Sequence, residues 1–317
     1  IMLFCFLWFS LILLLQYGNS LSCIDGQNCT HYCNDTSDGC ESANMICKDA
    51  ELCSLTCNNE NSCKGLNFKA DNVSNVNILC GYKSCFQLNI DILSNNGMSS
   101  VNIECNDYQG CYYGKFMIQS NITDNNMPQI NISCSGRWAC YKNEINVVGI
   151  NDVHLNCNGI RACFNLFLSS ALLDQESYGS FDINCTNGNS VCNELIVNGI
   201  AQKNVDILCG FGNIGTYACN DMKIYCPIIN ITDIDSNWCS INLGNNIYNI
   251  EIYTIYSEIY PNVLNAPNNA NIQVFCDIDW LYTSIIGTPN NDYCLNTTEI
   301  SQIQTIIPNQ DSASVNC

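Results

Sequence analysis

The sequence predicts an all-β fold, a single-domain parallel β-solenoid of about eleven coils that is stapled by disulfides. Three observations carry this prediction: a short alternating segment that recurs along the chain, a Cys-bounded turn after most copies, and 26 Cys among 317 residues. The copies end at positions 33, 57, 80, 105, 134, 157, 185, 209, 233, 252 and 276, so ten spacings span 243 residues and the mean period is 24.3. A period between about 20 and 50 residues is typical of solenoids, propellers and other repeat arrays.

The first element of each repeat is a short strand. In Val76–Cys80, Val101–Cys105 and Ile130–Cys134 the first, third and fifth residues are apolar or Cys, and the second is polar. This period-2 alternation predicts a strand with one buried face. We expect an inner aliphatic column at the third position, formed by Ile78, Ile103, Ile132, Leu155, Ile183 and Ile207. We expect an outer polar column at the second position, formed by Asn77, Asn102, Asn131, His154, Asp182, Asp206, Asn230 and Asn249.

Three C-terminal segments are assigned to the same strand by pattern. Ile272–Cys276 keeps the terminal Cys, whereas Ile229–Asp233 and Tyr248–Ile252 replace it. They extend the repeat to residue 276.

A turn with a second Cys follows the strand, at an interval of five to ten residues. The simplest disulfide prediction joins the two Cys across each turn: Cys33–Cys40, Cys57–Cys63, Cys80–Cys85, Cys105–Cys111, Cys134–Cys140, Cys157–Cys163, Cys185–Cys192 and Cys209–Cys219. Free buried Cys, or bridges between adjacent coils, are the alternatives that the spacing leaves open. A second alternating run follows, as in Leu88–Ile92 and Ile145–Val147, and predicts a second strand in each coil.

Other repeat architectures fit less well. A leucine-rich repeat has a similar period, but its Leu-x-x-Leu-x-Leu signature is absent, and a propeller blade needs about 40 residues. A string of small disulfide-rich modules would not need the uniform strand pattern. From about residue 29 to 276 the pattern resembles the right-handed parallel β-helix superfamily typified by pectin lyases. This is a resemblance of fold, which implies little about activity.

The ends of the chain predict its compartment. Residues 1–22 are expected to be a signal peptide because an apolar run is followed by small residues, with an N-terminal membrane anchor as the alternative. Residues 23–276 form the Cys-rich repeat domain, and residues 277–317 form a C-terminal cap or tail. Many Cys spread along a chain favour a disulfide framework in an oxidising compartment, so we expect a secreted, extracellular or cell-surface protein. N-glycosylation sequons occur at Asn28, Asn34, Asn72, Asn121, Asn131, Asn184, Asn230 and Asn296.

Charge limits the partners. The chain has 10 Lys and Arg against 29 Asp and Glu, a formal net charge of −19, so it lacks the basic footprint of a nucleic-acid binder. We expect extracellular glycans or proteins of a matrix or coat as partners, with self-assembly as a further possibility. No membrane span is expected after the signal peptide. No cofactor and no metal site are expected, because the two His are isolated and the Cys are accounted for by disulfides.

Candidate functional residues are few. Lys83, Arg137, Trp138 and Arg161 all fall in the Cys-to-Cys turns, so they are expected to lie on one edge of the solenoid. Such an edge could hold a glycan, and the alternative is that these are scattered, solvated charges. Asp182 and Asp206 share an outer position in consecutive coils, but the Asn-Thr-Asp, Asp-Asp, Gly-His-Gly and Arg-Ile-Lys motifs of polygalacturonase-like enzymes are absent. We therefore expect no catalytic residues and a structural, adhesive or glycan-associated protein. The alternative is a polysaccharide lyase or glycoside hydrolase.

Overall fold

The structure, a computed structural model, has two sheets of parallel strands. It describes residues 20–23, 28–34, 40–95, 98–121, 128–150, 152–171, 179–199, 202, 204–211, 218–226, 239–243, 249–254, 262–264, 271–276 and 314–316. Sheet I consists of β2 (Cys29–Cys33), β4 (Leu52–Cys57), β6 (Asn75–Cys80), β8 (Ser100–Asn106), β10 (Gln129–Ser135), β12 (Asp152–Asn158), β14 (Ser180–Thr186), β16 (Asn204–Phe211), β18 (Cys239–Leu243) and β20 (Asn262–Leu264). Sheet II consists of β1 (Ser20–Ser22), β3 (Asn44–Lys48), β5 (Asn67–Asp71), β7 (Asn89–Ser94), β9 (Lys115–Ser120), β11 (Glu144–Val148), β13 (Phe167–Ala171), β15 (Ile196–Asn198), β17 (Met222–Tyr225), β19 (Asn249–Thr254), β21 (Asn271–Cys276) and β22 (Ser314–Asn316).

The chain alternates between the two sheets, and each strand pairs in parallel with the strand one coil away. β10, for example, pairs with β8 on one side and with β12 on the other, in unbroken register over seven residues. This connectivity is that of a parallel β-solenoid, as predicted, and each coil contributes one strand to each sheet.

The core lies between the two sheets and follows the predicted alternation. Ile103, Ile132 and Leu155 are in register and at most 1% exposed. The Cys column at the fifth position is also buried, with Cys105, Cys134 and Cys157 in register. Sheet II contributes its own inward residues, of which Phe68 and Phe116 are among the largest fully buried side chains.

Amide ladders line the outer face. In sheet I, Nδ2 of Asn102 donates to Oδ1 of Asn77 and Nδ2 of Asn131 donates to Oδ1 of Asn102, both at 3.0 Å. Sheet II carries a second ladder, in which Nδ2 of Asn67 donates to Oδ1 of Asn44 and Nδ2 of Asn89 to Oδ1 of Asn67, also at 3.0 Å. Stacked amides can satisfy one another along a solenoid, which gives the high Asn content a structural role.

The turn from sheet I to sheet II has an unusual backbone. In parts of these turns every second residue has a left-handed backbone conformation, as at Trp138 (φ 64°), Cys140 (φ 52°) and Lys142 (φ 54°). Gly159 (φ 139°) begins the next such turn, and a Cβ there would lie 2.5 Å from the carbonyl oxygen of Gly136 in the coil before. Only glycine fits that close approach.

Eleven disulfides occur among the described residues. The structure joins Cys33–Cys40, Cys57–Cys63, Cys80–Cys85, Cys105–Cys111, Cys134–Cys140, Cys157–Cys163, Cys185–Cys192 and Cys209–Cys219, the pairs proposed from the spacing. Three more, Cys23–Cys29, Cys47–Cys53 and Cys226–Cys239, bridge the opposite corner, where sheet II leads back to sheet I. Sulfurs of neighbouring coils approach closely, as in Cys33, Cys57 and Cys63, but all three are oxidised and offer no thiolate to a metal.

The predicted C-terminal extent of the repeat needs correction. The coil count differs slightly from the predicted eleven, because ten strands of sheet I are described. Tyr248–Ile252 and Ile272–Cys276 were assigned to the first strand of the coil, whereas β19 and β21 belong to sheet II. Asn249 is therefore not in the outer column of sheet I. The segment Ile229–Asp233, with Asn230, lies outside the described residues. Both sheets have the same alternation, so the pattern alone assigned these segments to the wrong sheet.

Described strands occur within both the predicted signal peptide and the predicted C-terminal tail. Most of the predicted signal peptide lies outside the described residues, but Ser20–Ser22 form β1 and pair with β3. Within the predicted tail, β22 adds a strand beside β21. The described part of the chain contains no helix long and apolar enough to cross a bilayer.

Candidate functional site: the aromatic–basic edge

The turns from sheet I to sheet II stack into one edge of the solenoid. Backbone hydrogen bonds join them, for example from Trp138 N to Ile160 O (2.9 Å) and from Lys142 N to Phe164 O (3.0 Å). Equivalent positions of successive turns therefore lie above one another. We call this surface the aromatic–basic edge; its members are Tyr82, Lys83, Phe86, Tyr108, Tyr112, Tyr113, Arg137, Trp138, Tyr141, Lys142, Arg161 and Phe164.

A continuous column of stacked rings forms the spine of the edge. The ring centroids are 5.7 Å apart between Phe86 and Tyr112, 4.8 Å between Tyr112 and Tyr141, and 5.5 Å between Tyr141 and Phe164. The interplanar angles of 16°, 14° and 25° show near-parallel stacking. Such pairs stabilise a fold by about 0.5–1.5 kcal/mol each beyond the burial of their area.

Further rings flank this column. Tyr113 meets Tyr112 edge to face at 4.5 Å, and Trp138 meets Tyr141 in the same way at 4.8 Å. Tyr82 and Tyr108 stack at 6.0 Å on the side nearer sheet I. The rings of the edge therefore fix one another before any ligand arrives.

Cations lie over these rings. The guanidinium carbon of Arg161 is 4.4 Å from the centroid of Trp138, and that of Arg137 is 5.9 Å from Tyr108. The ammonium of Lys142 lies 5.5 Å from Tyr141. A cation within about 6 Å of a ring centroid is attracted by the negative face of the ring.

Ion pairing separates these cations from the other basic residues. Among the described residues, Lys48, Lys64, Lys69, Lys83, Lys115 and Lys223 each lie within ion-pair distance of a carboxylate. Within the same described ranges, no carboxylate pairs with Arg137, Lys142 or Arg161. The edge thus concentrates three positive charges that have no ion-pair partner in the described part of a strongly acidic chain.

Local electrostatics change the pKa of two groups of the edge, Tyr112 and Lys83. Burial, followed by the neighbouring Tyr113 and Tyr141, raises the pKa of Tyr112 to about 12. The hydrogen bond to Glu60 raises the pKa of Lys83, whose Nζ lies 3.1 Å from Oε1 of Glu60. At neutral pH Tyr112 is therefore a neutral phenol and Lys83 is a cation.

The structure brings the four predicted edge residues onto one surface. Trp138 and Arg161 are in direct contact, while Lys83 and Arg137 both lie over Tyr108, at 5.7 and 5.9 Å. Sequence reasoning missed the ring column and Lys142. The signal was present, because an aromatic residue follows the second Cys in four successive turns: Cys85-Phe86, Cys111-Tyr112, Cys140-Tyr141 and Cys163-Phe164.

The outer column of sheet I holds a separate polar cluster. Nδ1 of His154 lies 3.1 Å from Oδ2 of Asp182, and Nε2 lies 2.8 Å from Nε2 of Gln129. A neutral imidazole with its proton on Nδ1 satisfies both contacts, because it donates to the carboxylate and accepts from the amide. Asp206 is in register with Asp182, and burial followed by the charge of Asp182 raises the pKa of Asp206.

The sequons differ in their surroundings. Asn28 and Asn34 are exposed. At Asn72, Asn121 and Asn131 the amide nitrogen, which would carry the glycan, donates within a side-chain ladder to Asp49, Asn95 and Asn102. Asn184 is half-buried in β14, and Asn230 and Asn296 lie outside the described residues.

Sheet II carries a shallow groove of about 470 Å³. Ile46 and Met117, which are 38% and 42% exposed, lie in its floor beside Lys69 and Asp91. The groove surface is mainly apolar, and the described structure contains nothing that indicates its occupant.

No protein-family model, curated protein or solved structure matches this chain in the comparisons made. Its fold is therefore known from its own structure, and its function must be argued from its own surface.

Proposed function

We propose that this chain is a secreted, non-catalytic solenoid that serves an extracellular matrix, coat or cell surface as a structural, adhesive or glycan-associated component. The aromatic–basic edge is the observation that carries this proposal. It is a preformed surface of rings and of cations without a described ion-pair partner, and such groups can hold a polymer through cation–π contacts and charge-assisted hydrogen bonds. The disulfide framework supports an oxidising compartment, where thiols do not stay reduced.

The resemblance of fold to a known superfamily is part of the same proposal. A two-sheet parallel solenoid is compatible with the right-handed β-helix superfamily of pectin lyases, with its catalytic motifs lost or never present. Fold alone does not determine activity.

Retention on a matrix tests the proposed function. Full-length protein secreted from a eukaryotic line is passed over insoluble extracellular matrix and over immobilised glycans of several classes. We expect retention on at least one of them without turnover. Flow-through from every surface would refute the proposal, and release of reducing ends or unsaturated products from any glycan would replace it with an enzymatic one.

One observation favours the alternative, a carbohydrate-active enzyme. The contact between His154 and Asp182, next to Asp206, is the best acid–base constellation in the described structure. If the chain cleaves a polysaccharide, Asp182→Asn should abolish the activity while Asp152→Asn, on the same strand face but outside the contact, should not. We rank this second because the cluster is exposed and the catalytic motifs are missing.

A further inference from the structure

We propose that the aromatic–basic edge binds an anionic glycan, carrying carboxylate or sulfate groups, through the guanidinium forks of Arg137 and Arg161 with support from Lys142. This rests on the proposed function and specifies the ligand class of its surface. The inference depends on three properties of the edge: which cations are unpaired, which ring faces are free, and how the cations are spaced.

The cations of the edge are unusual because they lack ion-pair partners in a chain with nearly three acidic residues for each basic one. In such a chain an exposed cation readily finds a carboxylate, and six described Lys do so. Arg137, Lys142 and Arg161 have none among the described residues, and they lie in two neighbouring turns. They are also among the exposed residues of the edge. Anions from another molecule would complete their pairing.

The rings decide between an anionic and a neutral sugar. A neutral sugar binds an aromatic side chain mainly by stacking on its open face. In the central column Tyr112 and Tyr141 are each covered on both faces by neighbouring rings. One face of Trp138 is covered by Arg161. Tyr82 and Tyr113 are more open, at 46% and 40% exposed, but Lys83 and Lys142 lie over their rings at 5.3 and 5.7 Å. A ligand at these rings therefore also meets a cation, which favours an anionic sugar.

The guanidinium of Arg161 is arranged for that recognition. At 4.4 Å from the Trp138 centroid it is held against the indole, and its N–H groups remain available at its rim. Arg is suited to bidentate pairing with carboxylates and related oxyanions because its five donors form a rigid fork. Stacking restricts the side chain before binding and so lowers the entropy cost of ordering it.

The spacing of the Arg residues along the edge matches a polymeric ligand. Trp138 N bonds to Ile160 O and Gln109 N to Arg137 O, which places Arg137 and Arg161 in adjacent columns of successive turns. Neighbouring turns are about 4.8 Å apart, close to the advance of one sugar residue in an extended glycan. A chain lying along the edge would present a charged group to each Arg in turn. The acidic residues Asp182 and Asp206 lie on sheet I, and screening at physiological salt limits their repulsion to about 8 Å.

Binding to dextrans of one backbone tests the inference. Full-length protein is titrated with dextran, carboxymethyl dextran and dextran sulfate at physiological salt. We expect saturable binding to one or both anionic polymers, the two showing whether carboxylate or sulfate is preferred, and no binding to dextran. The Arg137→Gln/Arg161→Gln variant should bind roughly tenfold more weakly, a loss of about 1.4 kcal/mol.

Two further variants sharpen the experiment. Lys48→Gln/Lys69→Gln lowers the net charge by the same two units but removes ion-paired cations of sheet II, and it should bind within about twofold of wild type, as expected for cations outside the contact surface. Arg137→Lys/Arg161→Lys keeps the charge and removes the forks, so it should lose several-fold. Equal binding by the Lys variant would overturn the bidentate contact.

Three other outcomes would overturn the inference. Equal losses in both Gln variants would mean that net charge alone matters. Binding to plain dextran that survives the Arg substitutions would assign the glycan to another face, and would leave the proposed function standing. Concentration-dependent association of wild-type protein that the Arg→Gln pair abolishes, with no dextran binding, would assign the edge to contacts between copies.

Discussion

Ile132→Asp and Asn131→Asp place the same side chain on the inner and the outer face of one strand. Comparing the two variants tests whether only one face of that strand is buried. Ile132 is 1% exposed and in register between Ile103 and Leu155. A carboxylate there has no partner and must either stay charged or take up a proton. Even the neutral polar group costs about 2–7 kcal/mol when it is buried without a hydrogen bond. This is a large part of a typical stability of about 5–15 kcal/mol.

Asn131→Asp changes the outer face instead. Nδ2 of Asn131 donates to Oδ1 of Asn102 at 3.0 Å, and a carboxylate would lose that bond at a half-exposed position. The expected cost is about 1 kcal/mol. The substitution also removes a sequon, so intact-mass comparison shows whether Asn131 carries a glycan.

The assay is secretion yield followed by thermal unfolding monitored by far-UV circular dichroism. We expect Ile132→Asp to be retained in the secretory pathway or to unfold at a much lower temperature, and Asn131→Asp to be secreted with a small shift. Ile132→Ala, with an expected loss of about 2–5 kcal/mol, gives an intermediate point if the Asp variant yields no protein. Equal damage at positions 131 and 132 would refute the assignment of one buried face to this strand.

Three further predictions follow from backbone, charge and redox state. Gly159→Ala should lower the melting temperature by several degrees, because its Cβ would meet the Gly136 carbonyl. The control Gly65→Asn, at φ 63°, should leave the melting temperature nearly unchanged. Similar losses of melting temperature in the two variants would argue against the close approach at Gly159. The pKa of Asp206 is raised in the folded state, so its favourable contribution exists at low pH and is lost as the pH rises through the folded pKa. Asp206→Asn should therefore raise the melting temperature at neutral pH and have little effect below about pH 3, under the ordinary Asp pKa, and a constant gain at both pH values would contradict this. Alkylation of native protein followed by peptide mapping should leave Cys134 and Cys140 unlabelled, and labelling of either would show that the bridge is absent.

Some residues of the candidate site were predictable and others were not. Lys83, Arg137, Trp138 and Arg161 could be assigned to one edge because a solenoid superimposes equivalent turn positions. Whether each cation is ion-paired with a carboxylate could not be predicted, since Lys83 and Arg137 have similar sequence surroundings. Only the structure shows Glu60 beside Lys83 and no described carboxylate beside Arg137. Side chains from different coils meet there, and sequence spacing within one coil does not determine such contacts.

The sequence by itself predicted the strands and their buried face, and it favoured bridges across each turn without excluding free Cys or bridges between coils. Alternation is a local property of an extended chain, and Cys separated by five to seven residues can be joined across a tight turn. Sulfurs of adjacent coils are also close, so the choice of partner needed the tertiary structure. The tertiary structure decided which sheet a strand joins, as β19 and β21 show, because both sheets bury the same apolar pattern. It also decided the left-handed turn backbone, the three bridges at the opposite corner and the stacked rings. These depend on the register between coils, which is set by the packing of the whole stack.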